Sequence, residues 1–182
     1  MQYKKTIELK DGRQCLIRNA TSHDAEDVLS NLKKAHEETN FLLTYPDEKG
    51  FSIEEEKSFL RQKEESDVEV QLCALVGNVI VGLAGVSAIG AREKIRHRAE
   101  LGVSIEKDFW HLGIGSALTK ASIECAITAD YRQLELEVVA DNKNAIALYK
   151  KMCFVEYGRN PRGFTLRNSD YKELILMRLE LR

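Results

Sequence analysis

Hydrophobic residues in the first third of the chain follow a helical spacing. Residues 15–21 predict a short strand that ends in a turn, and Ser22 is the expected N-cap of a helix over 25–38. The apolar positions of that helix lie three and four residues apart, at Val28, Leu29 and Leu32.

A proline and a glycine within 40–51 predict a loop after this helix. Ser52 and Glu55 have the spacing of a capping box, in which each side chain satisfies a backbone N–H of the other. We therefore expect a second helix over 53–65.

The middle of the chain changes to the period of strands. Two apolar runs flank Gly77–Asn78, which is typical of a tight hairpin turn. The order of elements predicts a single domain over 1–182 of the α/β (α+β) class, with a mixed sheet that carries helices on its faces. The later elements are strands over 68–76, 79–89 and 99–105, a helix over 116–129, a strand over 133–140, a helix over 143–152 and one or more final strands that include 172–181.

Composition narrows the class of protein. A net charge of −2 over 182 residues offers no basic excess for nucleic acid. No apolar run approaches the roughly 20 residues of a membrane helix, and the start has no apolar signal core, so we expect a cytoplasmic protein. The four cysteines are far apart and are expected to be reduced, and no His or Cys spacing predicts a metal site.

Residues 110–118, "WHLGIGSAL", contain the first candidate site. Gly113 and Gly115 fit two positions of a dinucleotide fingerprint, but Leu118 takes the third, where glycine is needed. A Walker loop requires Lys followed by Ser or Thr, which is absent. The remaining interpretations are a phosphate cradle at the start of a helix and a loop that needs glycine for its backbone alone.

A second motif follows in "NKNAIALYKKMCF" and decides between them. The pair resembles the GNAT superfamily of acyl-CoA-dependent N-acyltransferases, whose pattern is Arg/Gln-x-x-Gly-x-Gly/Ala and later Asn-x-x-Ala-x-x-Leu-Tyr-x-x-x-Gly-Phe. The chain departs from the pattern at Trp110, which replaces Arg/Gln, and at Cys153, which replaces glycine. The matching residues of the second motif are Asn142, Ala145, Leu148, Tyr149 and Phe154.

The resemblance implies a mostly antiparallel sheet in which two strands splay apart for acetyl-CoA. It implies direct transfer of the acetyl group to a primary amine of a small molecule or a peptide, with no metal. Tyr149 would donate a proton to the leaving thiolate. The base is open between Glu137, Glu100 and a water chain. The implied cofactor-binding residues are Val103, Ser104, Ile105, Trp110, His111, Leu112, Gly113, Ile114, Gly115, Ser116, Ala117, Asn142, Ala145 and Tyr149.

Several alternatives stay open at this stage. Asn142 also fits a helix cap, and His97 either lines the acceptor side or is a surface residue. An acidic loop over 36–50 would suit a cationic amine, or is simply solvated, while its aromatic residues favour an apolar amine. A non-catalytic acyl-CoA-binding module, an oxygen acceptor or a longer acyl donor also fit. Pairing of 172–181 between two copies would give a homodimer.

Overall fold

A computed structural model describes all 182 residues as eight strands and four α-helices around one sheet. Two short 3-10 turns, Ser22–Asp24 and Lys107–Phe109, precede α1 and α3. In chain order the elements are β1 (Lys4–Glu8), β2 (Gln14–Asn19), α1 (Ala25–Glu38), α2 (Ile53–Glu65), β3 (Val70–Val76), β4 (Val79–Ala88), β5 (Arg98–Ile105), α3 (Ile114–Thr128), β6 (Gln133–Val139), α4 (Lys143–Lys151), β7 (Val155–Thr165) and β8 (Tyr171–Glu180).

The strands form one sheet in the order β1-β2-β3-β4-β5-β6-β8-β7. Every neighbouring pair is antiparallel except β5 and β6, which the crossover helix α3 joins in parallel. These two strands pair only over Arg98–Glu100 and Gln133–Glu135, and beyond that point they separate. This confirms the predicted mixed sheet with a splayed strand pair, and we call the gap the opening.

Apolar side chains pack on both faces of the sheet. A core of 26 buried residues lies on the face covered by α3 and α4 and includes Leu118, Leu134 and Tyr149. A second cluster of seven residues, among them Val28 and Leu60, packs α1 and α2 against the other face. No helix is both long and apolar enough to cross a membrane.

The structure adds one strand, moves one helix cap and removes one possible strand edge. The N-terminal strand β1 was not predicted, although "DG" at Asp11–Gly12 lies between two alternating runs and is a strong hairpin signal. The N-cap of α1 is Asp24 and not Ser22. Asp24 is held there because it accepts hydrogen bonds from the N–H and hydroxyl of Thr21 and pairs with Arg18. The segment 172–181 is not free for another copy, because β8 lies between β6 and β7.

The second helix starts as predicted. The Ser52 N–H donates to Glu55 at 2.7 Å, and the Glu55 N–H donates to the Ser52 hydroxyl oxygen at 3.3 Å. The Gly77–Asn78 turn also joins β3 to β4 as an antiparallel pair. The elements from residue 52 to residue 152 therefore lie within a few residues of their predicted positions.

Candidate active site

The backbone of both strands faces the opening at alternate residues. The Glu106 N–H donates to the Val81 carbonyl of β4. The backbone N–H and C=O groups of even-numbered residues in β5 therefore bond to β4, and those of odd-numbered residues point to the opposite side. The Leu181 N–H donates to Arg132 at the start of β6, so the odd residues of β6 also face the opening. The opening is lined by the backbone of Val103, Ile105, Glu137 and Val139, whereas the backbone of Ser104 is committed to β4.

The start of α3 presents a row of unpaired backbone donors beside the opening. The first hydrogen bond of the helix runs from the Ala117 N–H to the Gly113 carbonyl at 3.1 Å. The N–H groups of residues 111–116 before it have no partner in the chain. We call these six groups the cradle. Because free N–H groups and the helix dipole attract anions, the cradle suits phosphate.

The two glycines of the cradle are required for different reasons. Gly113 has φ +106° at the N-cap of α3, a conformation that L side chains rarely adopt. Gly115 lies inside α3, where an added Cβ would be 3.1 Å from Leu148 and 3.3 Å from Ile105. The first glycine therefore shapes the turn, and the second lets α3 approach α4 and the end of β5. His111, at φ +63°, completes the turn.

The hairpin between β1 and β2 holds the cradle from behind. The Lys10 N–H donates to the Leu112 carbonyl at 3.1 Å, and the Arg13 guanidinium lies 5.1 Å from the centre of the Phe109 ring. Because the C=O and N–H of a trans peptide point in opposite directions, this bond turns the Gly113 N–H away from the hairpin. This contact was not predicted, because the strand β1 was not predicted.

Trp110 reaches the strand end rather than the helix. Its indole Nε1–H donates to the Ile105 carbonyl at 2.8 Å. The family pattern expects Arg or Gln here, and neither side chain would fill the same space. The ring also lines a cavity of about 380 Å³ between α1, β8 and the turn before β8, together with Glu38, Thr39, Asn40, Phe41, Lys107, Leu166 and Lys172.

Tyr149 lies on α4 with its ring in the core and its hydroxyl unpartnered. Only 8% of the residue is exposed, and the ring centre is 5.7 Å from that of Phe154. The hydroxyl makes no hydrogen bond, yet it is not among the sealed polar atoms without partners, so it reaches accessible space. Burial raises the pKa of Tyr149 to about 12, which keeps the phenol protonated at neutral pH.

The turn after α4 keeps its form without the expected glycine. Cys153 adopts φ +67°, and the Phe154 N–H donates to the Tyr149 carbonyl at 3.0 Å. At the other end of α4, Asn142 is a helix cap whose side-chain oxygen accepts from the Ala145 N–H at 3.1 Å. The side-chain NH₂ of Asn142 makes no hydrogen bond within the chain.

Glu100, Glu135 and Glu137 share the sheet face that α1 and α2 cover further along. Glu100 and Glu137 are exposed and make no hydrogen bond. Glu135 is 6% exposed and accepts from Arg98, Gln133 and Tyr157. Hydrogen bonds from Arg98 lower the pKa of Glu135 most, against the opposing effect of burial. The two exposed glutamates remain candidate bases, whereas Glu135 is a structural anion. His97 is exposed, and its carbonyl accepts from Arg132.

The carboxylates of the acidic loop over 36–50 have partners within the chain. Asp47 pairs with Arg167 at 2.6 Å, and Glu48 accepts from the Tyr45 N–H at 2.8 Å. Glu38 accepts from the Lys107 N–H at 2.6 Å, and Glu37 lies 4.0 Å from Lys33. The acidic residues that suggested a cationic amine thus all have partners within the chain. No group of three or more metal-ligating side chains is clustered in the structure.

Known proteins with the same arrangement identify the family. Residues 32–154 match the model of the acetyltransferase (GNAT) family. The chain belongs to the GNAT family. The GNAT-family acetyltransferase of Streptococcus pneumoniae is 31% identical, with a TM-score of 0.87 over 91% of this chain and 99% of that one. The resemblance of the sequence to this family is therefore confirmed.

Two further relatives extend the comparison. The Salmonella typhimurium protein yncA, whose structure includes its cofactor acetyl-CoA, shares the fold at 16% identity, with a TM-score of 0.81 over 92% of this chain and 94% of that one. The L-amino acid N-acetyltransferase AaaT of Escherichia coli is 31% identical over 108 residues. That match spans 59% of this chain and 65% of the relative.

Proposed function

We propose that this GNAT protein transfers an acetyl group from acetyl-CoA to a primary amine, directly and without an acyl-enzyme. The observation that carries the proposal is the cradle of six unpaired N–H groups beside a strand pair with unpaired backbone. The N–H groups of residues 111–116 would hold the pyrophosphate, and Val103, Ile105 and Asn142 would hold the pantetheine arm. Acetyl-CoA supplies the acetyl thioester as the donor.

Acid and base would act from opposite faces of the sheet. Tyr149 approaches from the face of α3 and α4, with a protonated hydroxyl that reaches accessible space. Glu137 and Glu100 lie on the other face, which α1 and α2 cover; Glu137 is beyond the last β5–β6 pair, and Glu100 belongs to that pair. In this proposal the amine loses its proton on one face, and Tyr149 Oη gives a proton to the thiolate on the other. A backbone N–H of β5 would polarise the thioester oxygen.

The cysteines support direct transfer. Cys15, Cys73 and Cys125 are buried, and burial raises the pKa of the Cys73 thiol to about 12 and that of Cys125 to about 11. Such thiols stay protonated at neutral pH and are poor nucleophiles. Cys153 is exposed at the turn after α4. No buried cysteine is therefore suited to carry the acetyl group.

A small acceptor fits better than a protein surface. The cavity of about 380 Å³ has the size of a site for a small molecule. Because the carboxylates of the loop have partners within the chain, they give little support to the alternative of a cationic amine. Since a relative at 31% identity is named an L-amino acid N-acetyltransferase, we propose amino acids as the first acceptors to test.

The first test is thermal melting with CoA, acetyl-CoA, NAD and ATP, each added separately. A ligand that binds only the folded state raises the midpoint by mass action. We expect a shift with CoA and acetyl-CoA alone, and no shift with either would overturn the proposal.

Thiol release from acetyl-CoA with a panel of L-amino acids then tests the transfer itself. We expect release to exceed that without an acceptor for at least one member of the panel. Binding of CoA without release for any amine would favour the acyl-CoA-binding module instead.

A further inference from the structure

Trp110 joins three parts of the site. Its Nε1–H donates to the Ile105 carbonyl at 2.8 Å, and its ring lines the cavity beside Phe41 and Lys172. The Ile105 side chain in turn lies against the first turn of α3, 3.3 Å from where a Cβ of Gly115 would stand. The Trp110 side chain therefore contacts both the end of β5, which lies beside the cradle, and the cavity on the acceptor side.

The Ile105 carbonyl is the last acceptor that β5 presents to the opening. The following N–H, that of Glu106, donates to Val81 on the opposite side at 3.0 Å. Because the two groups of a peptide point in opposite directions, the Ile105 carbonyl points toward the opening. Without Trp110 it would be available to any strand-like ligand there.

We propose that Trp110 is a positioning residue for the pantetheine arm. The inference rests on the proposed function and deepens it. With the Ile105 carbonyl occupied by the indole, the N–H and C=O of Val103 and the N–H of Ile105 are the groups near this strand end that are left for the arm and the thioester oxygen. The same hydrogen bond holds the strand end at a fixed distance from the cradle.

This role differs from that of an Arg or Gln at the same position. A long polar side chain acts on the phosphates of the cofactor by charge or hydrogen bonding. The indole N–H is already used by the strand and has no second donor to offer. Trp110 therefore acts on the arm of CoA and not on its phosphates.

Two probes separate these roles: CoA, and 3′-phospho-ADP, which is CoA without the pantetheine arm. We would measure their dissociation constants for the parent protein and for Trp110→Phe, which keeps an aromatic ring and removes the N–H. This hydrogen bond lies within the protein, so its loss weakens CoA binding only through the strand end that it no longer holds in place, and one neutral hydrogen bond sets the size of that effect at roughly fivefold. We expect CoA to bind about fivefold more weakly to the variant, and 3′-phospho-ADP to bind equally to both proteins.

Fluorescence of the parent gives an independent readout, because Trp110 is the single tryptophan of the chain. We expect its emission to change on binding CoA and to change less on binding 3′-phospho-ADP, with the adenine common to both probes. Trp110→Gln serves as the comparison that carries a family side chain, and it should strengthen 3′-phospho-ADP binding relative to Trp110→Phe.

Equal losses for the two probes in Trp110→Phe, or no loss for CoA, would overturn the positioning role. Failure of the proposed function would look different, since the parent itself would then bind neither probe.

Discussion

The two ends of the opening treat their polar groups in opposite ways. At the closed end, where β5 and β6 still pair, Arg98, Gln133 and Tyr157 all donate to Glu135. At the open end, the cradle N–H groups and the Tyr149 hydroxyl have no partner. The first N–H groups of a helix have no partner within the helix, so these donors are free to bind a ligand. The closed end holds the strands together, and the open end is available for chemistry.

The sharpest test of this contrast is Tyr149→Phe, which removes one unpartnered hydroxyl from the open end. Loss of a general acid typically costs about 100-fold or more in turnover. We expect kcat to fall by that amount, with the KM for acetyl-CoA and the melting temperature unchanged, since no hydrogen bond of the fold is lost. Steady-state kinetics and a melt check both. Unchanged turnover would make Tyr149 a core residue only.

A charge placed at the cradle tests the other part of the open end. Ser116→Glu adds a carboxylate to the first turn of α3, which favours the helix but repels phosphate. Repulsion at close range across the protein surface predicts about 50-fold weaker CoA binding. Ser116→Gln, of similar size and uncharged, should lose far less, and calorimetric titration compares them. Equal losses in the two variants would remove the cradle from the binding site. Gly115→Glu is a poorer choice, because its side chain would collide with Leu148.

Substitutions at the closed end should lower the stability of the fold and not the affinity for CoA. Glu135→Gln leaves Arg98 without its anion, and since that side chain is about one-third exposed, we expect a loss near 2 kcal/mol in the free energy of unfolding. Glu137→Gln, two residues along the same face, should lose almost nothing. Urea unfolding of the two variants makes the comparison. Similar losses would mean that the ion cluster does not hold the strands.

The pH dependence of this loss has a defined sign. The pKa of Glu135 is lowered in the folded state. Its ionised form therefore stabilises the fold fully above the pKa of the unfolded chain, which is about 4.3. That stabilisation disappears as the pH falls through the lower, folded pKa. The gap between parent and Glu135→Gln should therefore be full at pH 7 and shrink below about pH 4. A constant gap across this range would exclude the charge as its cause.

The smallest expected effect concerns the base. If Glu137 accepts the proton of the amine, Glu137→Gln should lower kcat/KM by less than about tenfold, since water also reaches this exposed site. The loss should be greatest at acidic pH, where few amines are already neutral. A pH–rate profile that matches the parent would leave Glu100 or a water chain as the route.

Local sequence signals predicted most of the fold. The capping box at Ser52, the turn at Gly77–Asn78 and the period of the later strands depend on neighbours in the chain. Ser22 failed as a cap because the competing Asp24 is also held by Arg18 from β2. That contact joins the end of β2 to the turn before α1, whereas the β1–β2 hairpin did have a local signal, in Asp11–Gly12, that was not used.

The candidate site follows from the sequence only in outline, for the same reason. The positions of the cradle and of Tyr149 follow from motifs in the sequence. Two contacts depend on where the ends of the helix and the strand lie. The Ala117 N–H donates to the Gly113 carbonyl, and the Trp110 indole donates to the Ile105 carbonyl. The lining of the cavity by Leu166 and Lys172 arises from the β7–β8 hairpin, far along the chain from α1. No local pattern specifies such contacts.

The close approach at Gly115 has an evolutionary consequence. The family pattern accepts glycine or alanine at this position, yet here a single methyl group would meet Leu148 at 3.1 Å and Ile105 at 3.3 Å. Relatives with alanine at this site are therefore expected to carry a smaller side chain at one of the other two positions. These three residues should vary together among related sequences, and Gly115→Ala should be tolerated best when Leu148 is shortened in the same chain.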